Sequence, residues 1–435
     1  MLTRAQFAHR LAAEMLAVPW TQASLRARLL IYLGAGQRRN VAALAEAAIA
    51  GHPLSYPPGP DRLARLLLQS PRFGPAHGAI RRRKRPLPAA LDPALFQPAP
   101  PFEGLQIPRL TVPDDLAEWL HLDLGQMTWF ADPERRLARH GARVSHYRRR
   151  WIPKSTGARL IEAPLPRLKA LQRRILAEIL TPVPLHPDAF GFRAGRNCLQ
   201  GAQRHASEEM VITADLEAFF ISVPAARVHG IFRSLGYPTA VARLLTGICT
   251  TATPQEMARK SAPRLRALLR SPHLPQGAPT SPALANLAAF RLDCRLAGLM
   301  RRSGGHYSRY ADDLAFSGDR RAFFDYAIPF LEILSEIAAE EGFRLNPAKT
   351  RLMPQGTRQI VTGVTVNQHI NLPRPEFDRL KAILTNCRRF GPESQNRAGH
   401  PAFRQHLEGR VAWVEQINPR RGLKLRALLE AIAWG

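Results

Sequence analysis

Two adjacent aspartates between strand-like arms constrain this chain more than any other feature of its sequence. Asp312 and Asp313 lie in Ser308-Arg-Tyr-Ala-Asp-Asp-Leu-Ala-Phe-Ser317, which reads as a β-hairpin with the acids at its turn. Like charges side by side are costly unless a cation offsets them. An ordinary acidic hairpin turn is the simpler interpretation, but the pair lacks the glycine that tight hairpin turns prefer. The pattern therefore favours a metal site.

A third aspartate ends another predicted strand. Asp215 closes the apolar run Val211–Asp215, and an acid in that position is paired, solvent-facing or a metal ligand. Phosphoryl transfer at two metal ions needs carboxylates from separate segments converging on ions roughly 3.5–4 Å apart. Asp215 and Asp312 would supply such carboxylates, and oxygen ligands of this type select Mg²⁺ or Mn²⁺.

A glycine turn that leads into a helix forms the third element. In Leu274-Pro-Gln-Gly-Ala-Pro-Thr-Ser-Pro, Ser281 is predicted to cap a helix whose first residue is Pro282. Gln276 stands just before the glycine, where its amide can bond a substrate or a template. By itself this segment indicates only a well-formed helix start.

Overall charge indicates the class of partner. The chain has 435 residues with 62 Lys and Arg against 34 Asp and Glu, a net charge of +28. Such an excess favours a polyanion, because phosphate contacts release counterions. A compositional bias of the genome would explain arginine in place of lysine, but it does not explain the shortage of acidic residues. A nucleic-acid partner is therefore the favoured explanation of the charge, ahead of compositional bias and of a membrane surface.

Other global features narrow the class further. The four cysteines are far apart and predict no zinc site. No apolar run is long enough for a membrane span, and the N-terminus lacks the apolar centre of a signal peptide, so we expect a cytoplasmic protein without membrane contact.

The periodicity of the sequence predicts its organisation. Residues 1 to about 75 have helical spacing, and the basic run Arg81–Arg85 opens a proline-rich linker. Two strands, Tyr147–Lys154 and Ala158–Pro164, are predicted around a Ser-Thr-Gly turn. The region from Phe377 to the end is predicted to be helical, with an apolar stripe at Phe403, Leu407, Val411, Val414 and Ile417.

These blocks, in this order, resemble the reverse transcriptases, and most closely the bacterial retron type. Tyr310–Asp313 is similar to the catalytic hairpin of that family, Asp215 to its first metal-binding aspartate, and Leu274–Gly277 to its nucleotide-binding turn. Further blocks also resemble the family in sequence order: Ile152–Pro164 and Phe190–Arg196 its fingers, Asn346–Thr350 and Val361–Gly363 its palm, and Gly409-Arg410 with Ile417–Pro419 its thumb.

The resemblance implies an α+β fold of the right-hand polymerase type. Fingers would span residues 111–205, a palm of antiparallel sheet and helices 206–372, and a helical thumb 373–435. A basic helical extension, residues 1–110, would precede them and would end in a Pro- and Arg-rich linker from about residue 76.

The resemblance also implies roles for individual residues. Asp215, Asp312 and Asp313, with the backbone carbonyl of Leu216, would hold two Mg²⁺ ions, Asp313 acting more to orient the hairpin. The residues expected to contact the incoming nucleotide are Lys154, Arg159, Phe220, Gln276, Gly277 and Lys349. Among them, Phe220 would exclude a 2′-hydroxyl and Lys349 would help to protonate pyrophosphate. Phe219 is expected to be a core aromatic.

A last set of residues is expected to contact nucleic acid: Arg196, His205, Thr362, Gly363, Arg404, Arg410 and Arg420.

The chain departs from the retron pattern at one position. Retron enzymes usually carry Asn-Ala-x-x-His before the first metal-binding strand, whereas Gly201-Ala-Gln-Arg-His205 has glycine in place of asparagine.

The implied partners are a structured non-coding RNA that is both template and primer, an RNA–DNA hybrid product, dNTPs and an effector protein. Two other interpretations remain open at this point. In the first the chain would be a defence-associated reverse transcriptase outside the retrons, and in the second a polymerase-like RNA-binding scaffold without turnover. All three aspartates and Gln276-Gly277 are present, which favours an active enzyme.

Overall fold

The computed structural model describes residues 3–52, 57–82, 95–133, 145–154, 157–319 and 327–434. The longer helices are Arg4–Leu16, Gln22–Leu33, Arg38–Gly51, Pro60–Gln69, Phe73–Arg81, Pro113–Trp119, Leu124–Ala131, Pro166–Ile175, Cys198–Gln203, Ala225–Ser234, Thr239–Cys249, Pro263–Arg270, Ser281–Ala288, Phe290–Arg302, Ala327–Glu340, Arg374–Phe390, Phe403–Ile417 and Pro419–Glu430. The strands are β1 (Tyr147–Lys154), β2 (Gly157–Pro164), β3 (Met210–Asp215), β4 (His306–Tyr310), β5 (Asp313–Gly318), β6 (Arg351–Pro354), β7 (Ile360–Val361) and β8 (Val364–Thr365).

The chain forms two compact units. The first unit consists of Met1–Pro184 and Phe220–Ala288, and the second unit of Leu185–Phe219 and Ala289–Gly435. The expected domain boundaries at residues 110, 205 and 372 stay predictions. Most of the basic run and the proline-rich linker, at residues 83–94, lies outside the described residues.

The first unit begins with the predicted helices. Thr3 and Gln6 form a capping box at the start of Arg4–Leu16, and Pro60 occupies the first turn of Pro60–Gln69. The apolar faces of these helices share one core, which includes Phe7, Leu11, Met15, Leu25, Leu44, Leu63 and Phe73. The helical prediction for this region is confirmed.

A two-stranded ribbon follows in the first unit. β1 and β2 are antiparallel, with Arg149 opposite Glu162 and Ile152 opposite Arg159. This register confirms the predicted pair of strands, whose Ser155-Thr156 turn lies outside the described residues. The chain then enters the amphipathic helix Pro166–Ile175, which continues as a π-helical turn through Leu180.

The second unit is built on a four-stranded antiparallel sheet with the strand order β4-β5-β3-β6. β3 is the central apolar strand Met-Val-Ile-Thr-Ala-Asp, and all its residues except Thr213 are buried. The predicted acidic hairpin is confirmed as β4 and β5. It pairs with β3 through β5, so the two acid-bearing segments are neighbours in one sheet.

The C-terminal helices pack in the second unit. Leu407, Val411, Val414 and Ile417 are buried, as the apolar stripe predicts, and share a core with Val211 and Met353 of the sheet. The region is helical, as predicted, and is divided into the helices Arg374–Phe390, Phe403–Ile417 and Pro419–Glu430. Gly391, with a φ of 82°, and Pro392 end the helix Arg374–Phe390, because proline cannot continue a helix and glycine adopts positive φ without strain. None of the helices within the described ranges is long and apolar enough to cross a membrane.

Candidate active site

Strand register brings the three predicted aspartates together in the second unit. Asp215, the last residue of β3, is the direct partner of Asp313, the first residue of β5. One residue further on, the amide of Leu216 donates a hydrogen bond to the carbonyl of Asp312 over 2.9 Å. The ladder therefore places the two chain segments that carry the acids side by side at one edge of the sheet.

The turn of the hairpin holds an unusual backbone conformation. Tyr310 pairs with Asp313, so Ala311 and Asp312 form the turn between them. Ala311 has a φ of 58°, in the left-handed region that residues with a Cβ rarely adopt. The sequence lacks glycine here, so the surrounding structure must stabilise the strained turn.

Lys349 supplies a cation at the carboxylates. Its Nζ lies 2.7 Å from Oδ2 of Asp215, and a short 3-10 turn, Pro347–Lys349, positions it. The amide of Asn346 donates to the carbonyl of Asp215 over 2.8 Å, which fixes this turn against β3. The hydrogen bond to Asp215 and the charge of the acids raise the pKa of Lys349 above its ordinary value.

The clustered negative charge changes the pKa of Asp313. Loss of solvation, together with the neighbouring carboxylates of Asp312 and Asp215, raises the pKa of Asp313 to about 6. Lys349 acts in the opposite direction. A site that raises the pKa of a carboxyl group in this way favours an added cation.

The donor set fits a hard divalent cation. It offers carboxylates of Asp215 and Asp312 and the carbonyl of Leu216, all oxygen ligands, and Asp215 already binds an ammonium group. Within the described part of the chain, no three His, Cys, Asp or Glu side chains form a group that holds a metal ion as they stand. A bound cation would compete with Lys349 for Asp215.

A cavity of about 350 Å³ lies beside the carboxylates within the second unit. Its lining includes Asp313, Lys349, Tyr310, Thr362 and Gly363. The structure thus brings Thr362 and Gly363 close to the β4–β5 hairpin, although the two segments are far apart in sequence. Both residues have positive φ, 48° and 82°, in the tight turn between β7 and β8.

In the first unit, the predicted nucleotide-binding turn contacts the ribbon. The amide of Glu162 on β2 donates to the carbonyl of Gln276 over 2.9 Å. Gly277 has a φ of 129°, and a Cβ there would lie 3.3 Å from the carbonyl oxygen of Glu162. Glycine is therefore required both by the backbone conformation and by the close approach of the strand.

The serine after this turn differs from its prediction as a helix cap. The hydroxyl of Ser281 donates to the carbonyl of Pro275 over 2.7 Å, so it closes the turn.

The other residues expected to contact the nucleotide differ in burial. Arg159 on β2 and Phe220 are both half-buried. Phe219 is in the core, as expected. The side chain of Lys154 lies outside the described residues.

A buried network beneath the ribbon was missed by the sequence analysis. Glu162 is 1% exposed and accepts hydrogen bonds from Nε of Arg149 at 2.8 Å, from Thr253 at 2.9 Å and from Nε2 of His273 at 2.9 Å. Burial by itself would raise the pKa of Glu162, but His273 and Arg149 outweigh it, so the pKa lies below its ordinary value. Nδ1 of His273 faces the carbonyl of Ser271 at 2.7 Å. Both ring nitrogens of His273 therefore have an oxygen partner.

A second network, also missed, lies beneath the catalytic hairpin. Arg309 of β4 forms a two-pronged ion pair with Asp293, with both distances 2.7 Å and both side chains fully buried. Tyr307 donates to the same carboxylate at 2.8 Å.

One predicted nucleic-acid contact is corrected. His205 is fully buried, and its nitrogens lie 2.7 Å from the hydroxyls of Ser317 and Ser308. Burial, and secondarily the charges of His306 and Arg204, lowers the pKa of His205 to about 3, so the ring is neutral. It joins the helix Cys198–Gln203 to the β4–β5 hairpin and has no surface to offer a nucleic acid.

The other predicted contacts are accessible to varying degrees. Arg196 is exposed over the ring of Phe190, and Arg420 is exposed on the last helix. Arg404 is exposed and pairs with Glu408 at 2.9 Å. Arg410 is half-buried in a cavity of about 410 Å³ with Gly409 and Trp413, and burial and then the charge of Arg379 lower its pKa.

The chain is similar in sequence to known reverse transcriptases. The profile of the family described as "Reverse transcriptase (RNA-dependent DNA polymerase)" matches residues 152–366. The Retron Mx65 reverse transcriptase of Myxococcus xanthus is 40% identical over 331 residues, which cover 73% of this chain and 71% of that protein. The Retron Mx162 reverse transcriptase of the same organism is 35% identical over 328 residues, 72% of this chain and 65% of that protein.

Solved structures give weaker matches. A foamy viral protease–reverse transcriptase in complex with double-stranded DNA is 17% identical, with a TM-score of 0.33 over 67% of this chain and 44% of that one. Telomerase from Candida albicans is 9% identical, with a TM-score of 0.39 over 86% of this chain and 74% of that one.

Proposed function

Because the chain belongs to the retron reverse transcriptases and is an RNA-directed DNA polymerase, we propose that it catalyses phosphoryl transfer at Asp215, Asp312 and Asp313. The observation that carries this proposal is the register that pairs Asp215 with Asp313 and bonds Leu216 to Asp312. It aligns acids from two strands, the arrangement that two-metal phosphoryl transfer needs.

Asp215, Asp312 and the carbonyl of Leu216 would hold two Mg²⁺ ions, with Mn²⁺ as a substitute. When bound, these ions would lower the pKa of the primer hydroxyl and neutralise charge on the triphosphate and the pyrophosphate. Asp313 would mainly orient the hairpin through its pairing with Asp215 and Tyr310. Lys349, released from Asp215, would donate a proton to the leaving pyrophosphate.

Residues of the first unit would bind the incoming nucleotide. Lys154 and Arg159 would contact the triphosphate, since guanidinium and ammonium groups stabilise phosphate charge. Gln276 and Gly277 would contact the nucleotide from a turn that the ribbon holds in place. Phe220 would stand against the sugar and select dNTPs over ribonucleotides.

Template and primer would be held mainly through phosphate and sugar. Thr362 and Gly363 line the cavity beside the acids and would contact the primer end. Arg404, Arg410 and Arg420 lie on the last two helices and would follow the duplex backbone, with Arg196 contacting the template.

The retron relatives support a more specific product. We propose that the partner is a structured non-coding RNA encoded beside the gene, which acts as template and as primer through a 2′-hydroxyl. The product would be a single-stranded DNA joined to RNA by a branch. The basic extension at residues 1–110 would contact this RNA or an effector protein, and the biological role would be anti-phage defence.

The test is to express the gene with its flanking genomic DNA and to analyse the nucleic acid that copurifies, with RNase and DNase digestion. A short DNA that keeps a branched RNA remnant is the expected result. RNA alone or unbranched DNA would contradict the retron product. An Asp312→Ala variant then separates a reverse transcriptase outside the retrons, whose DNA the variant loses, from an RNA scaffold, which keeps its RNA.

A further inference from the structure

The strongest unassigned feature is the buried ion pair beneath the catalytic turn in the second unit. Arg309 and Asp293 have no exposed side-chain surface, and two hydrogen bonds of 2.7 Å join them. Asp293 lies in the first turn of the helix Phe290–Arg302, and Arg309 lies in β4. The pair therefore connects a helix to the strand that leads into the acids.

The guanidinium of Arg309 has a further contact that reaches the turn itself. Its Nη1 donates to the carbonyl of Ala311 over 3.0 Å. Ala311 is the residue with a φ of 58°, and it immediately precedes Asp312. A buried, charge-assisted donor is thus aimed at the one strained peptide of the hairpin, where it stabilises a conformation that alanine disfavours.

The opposite side of the turn is also in close contact. The amide of Phe190 donates to the carbonyl of Arg309 over 2.8 Å. A Cβ at Gly191 would lie only 2.5 Å from the amide nitrogen of Ala311. The turn therefore contacts both the backbone at Gly191 and the guanidinium of Arg309, and these contacts leave it little freedom to move.

The charges of this pair are not needed for the stability of the fold. Replacing a buried ion pair by apolar residues of similar volume is often neutral or stabilising, because desolvation offsets the attraction between the charges. A hydrophobic pair would hold the helix against β4 equally well but could not bond the carbonyl of Ala311. The contact that needs the charge is the contact to the turn.

We propose that Asp293 and Arg309 are positioning residues for the polymerase reaction. Asp293 fixes the guanidinium of Arg309, which sets the backbone of Ala311 and hence the placement of the Asp312 and Asp313 carboxylates. This role rests on the proposed function of those two aspartates. Neither Arg309 nor Asp293 touches substrate.

The test replaces the polar set with an apolar one. The triple variant Tyr307→Phe, Asp293→Leu and Arg309→Met removes both charges and the tyrosine hydroxyl together, so that no buried charge is left unpaired. The carbonyl of Ala311 then loses the donor that the proposal assigns to it. We expect it to unfold at a temperature close to that of the unchanged protein. Because small misplacements of reacting groups cost large factors in rate, we expect kcat for primer extension to fall by about tenfold or more, with KM for dTTP nearly unchanged.

A rescue variant separates positioning from general structure. Adding Ala311→Gly to the triple variant removes the penalty of positive φ, so the turn regains its conformation without the guanidinium. We expect it to recover roughly threefold or more of the lost kcat. The matched control is Arg295→Met, on the same helix as Asp293, because Arg295 pairs with Glu340 and Glu341. That variant should keep its kcat.

The outcomes separate this inference from the proposed function. A folded triple variant with unchanged kcat overturns the positioning role, and so does a loss of activity that Ala311→Gly fails to restore. If Asp312→Ala extends primers as well as the unchanged protein, the proposed role of the aspartates fails instead, whatever the triple variant does.

Discussion

The β4–β5 hairpin and the β1–β2 ribbon each contain buried charged residues that form a network, but the two networks hold different parts of these elements. Under the β4–β5 hairpin, Arg309 bonds the carbonyl of Ala311 within the turn. In the ribbon, Arg149 and Glu162 are direct partners near the base, and their bonds run to Thr253 and His273. The first network therefore holds the turn of the β4–β5 hairpin, which carries Asp312. The second network holds the base of the ribbon, where its two strands join the rest of the first unit.

The difference corresponds to the roles proposed for the two hairpins. The proposed reaction needs the carboxylates at fixed positions relative to each other, and a turn held by hydrogen bonds provides this. Arg159 lies on the ribbon away from its buried network, where backbone pairing with Ile152 positions it. We therefore expect changes at the catalytic hairpin to alter kcat and changes along the ribbon to alter nucleotide affinity.

Removal of the anion from the ribbon network should give the largest effect on stability. Glu162→Leu leaves Arg149 and His273 buried without their carboxylate, and we expect the free energy of unfolding to fall by about 3–5 kcal/mol. Chemical denaturation of both proteins measures the change. The control is Glu408→Leu, which breaks an exposed pair with Arg404 and should cost at most about 1 kcal/mol. Equal losses in the two variants would show that the ribbon network is not needed for stability.

A change along the ribbon should act on nucleotide binding. In Arg159→Ala, loss of a phosphate contact should raise KM for dNTPs by roughly tenfold, with a smaller effect on kcat. Steady-state primer extension gives both constants. Arg148→Ala, an exposed arginine at the base of the same ribbon, should leave KM unchanged. A fall in kcat at constant KM would remove the distinction between the two hairpins.

Phe220 tests whether the selection of sugars belongs to the first unit. If its ring excludes a 2′-hydroxyl, Phe220→Ala should reduce the preference for dNTPs over ribonucleotides by about tenfold, since the lost contact discriminates by shape. The ratio of kcat/KM for dCTP and CTP is the measurement. Phe219→Leu, in the buried neighbour, should keep the preference, and an unchanged ratio in Phe220→Ala would assign selection to another residue.

The smallest expected effect is on the pH dependence of stability without metal. The folded pKa of Asp313, about 6, lies above that of an unfolded aspartate, so the folded state binds the proton more tightly. Stability should therefore fall as pH rises from about 4 to 6, relative to Asp313→Asn, by about 1 kcal/mol after solvent screening. Unfolding in EDTA at several pH values tests this, and added Mg²⁺ should reduce the loss. If the difference in unfolding free energy between the two proteins is the same across this pH range, the neighbouring carboxylates do not raise the pKa of Asp313.

The aspartates were predictable because their signals are local. Strand periodicity places Asp215 at a strand end, and an acidic pair inside a hairpin without glycine is unusual by itself. The apolar stripe of Phe403–Ile417 likewise needs only helical spacing. The pairing of the aspartates follows once β3 and β5 are known to be neighbours.

The buried networks were not predictable, because their members are distant in sequence. Arg309 and Asp293 are 16 residues apart, and His273 and Glu162 are 111 apart. In a chain with 62 lysines and arginines, each of these arginines looks like one more surface charge. His205 was misread for a similar reason, since only the tertiary fold buries its ring between two strand hydroxyls.

The measurement that tests the account most directly is primer extension on a defined RNA template with a DNA primer, dNTPs and Mg²⁺. We predict that the unchanged protein extends the primer in a reaction that EDTA stops. Asp312→Ala, which removes one half-buried carboxylate from the turn, should remain folded and lose nearly all of this activity. Extension by Asp312→Ala at the rate of the unchanged protein would contradict catalysis at the paired strands β3 and β5.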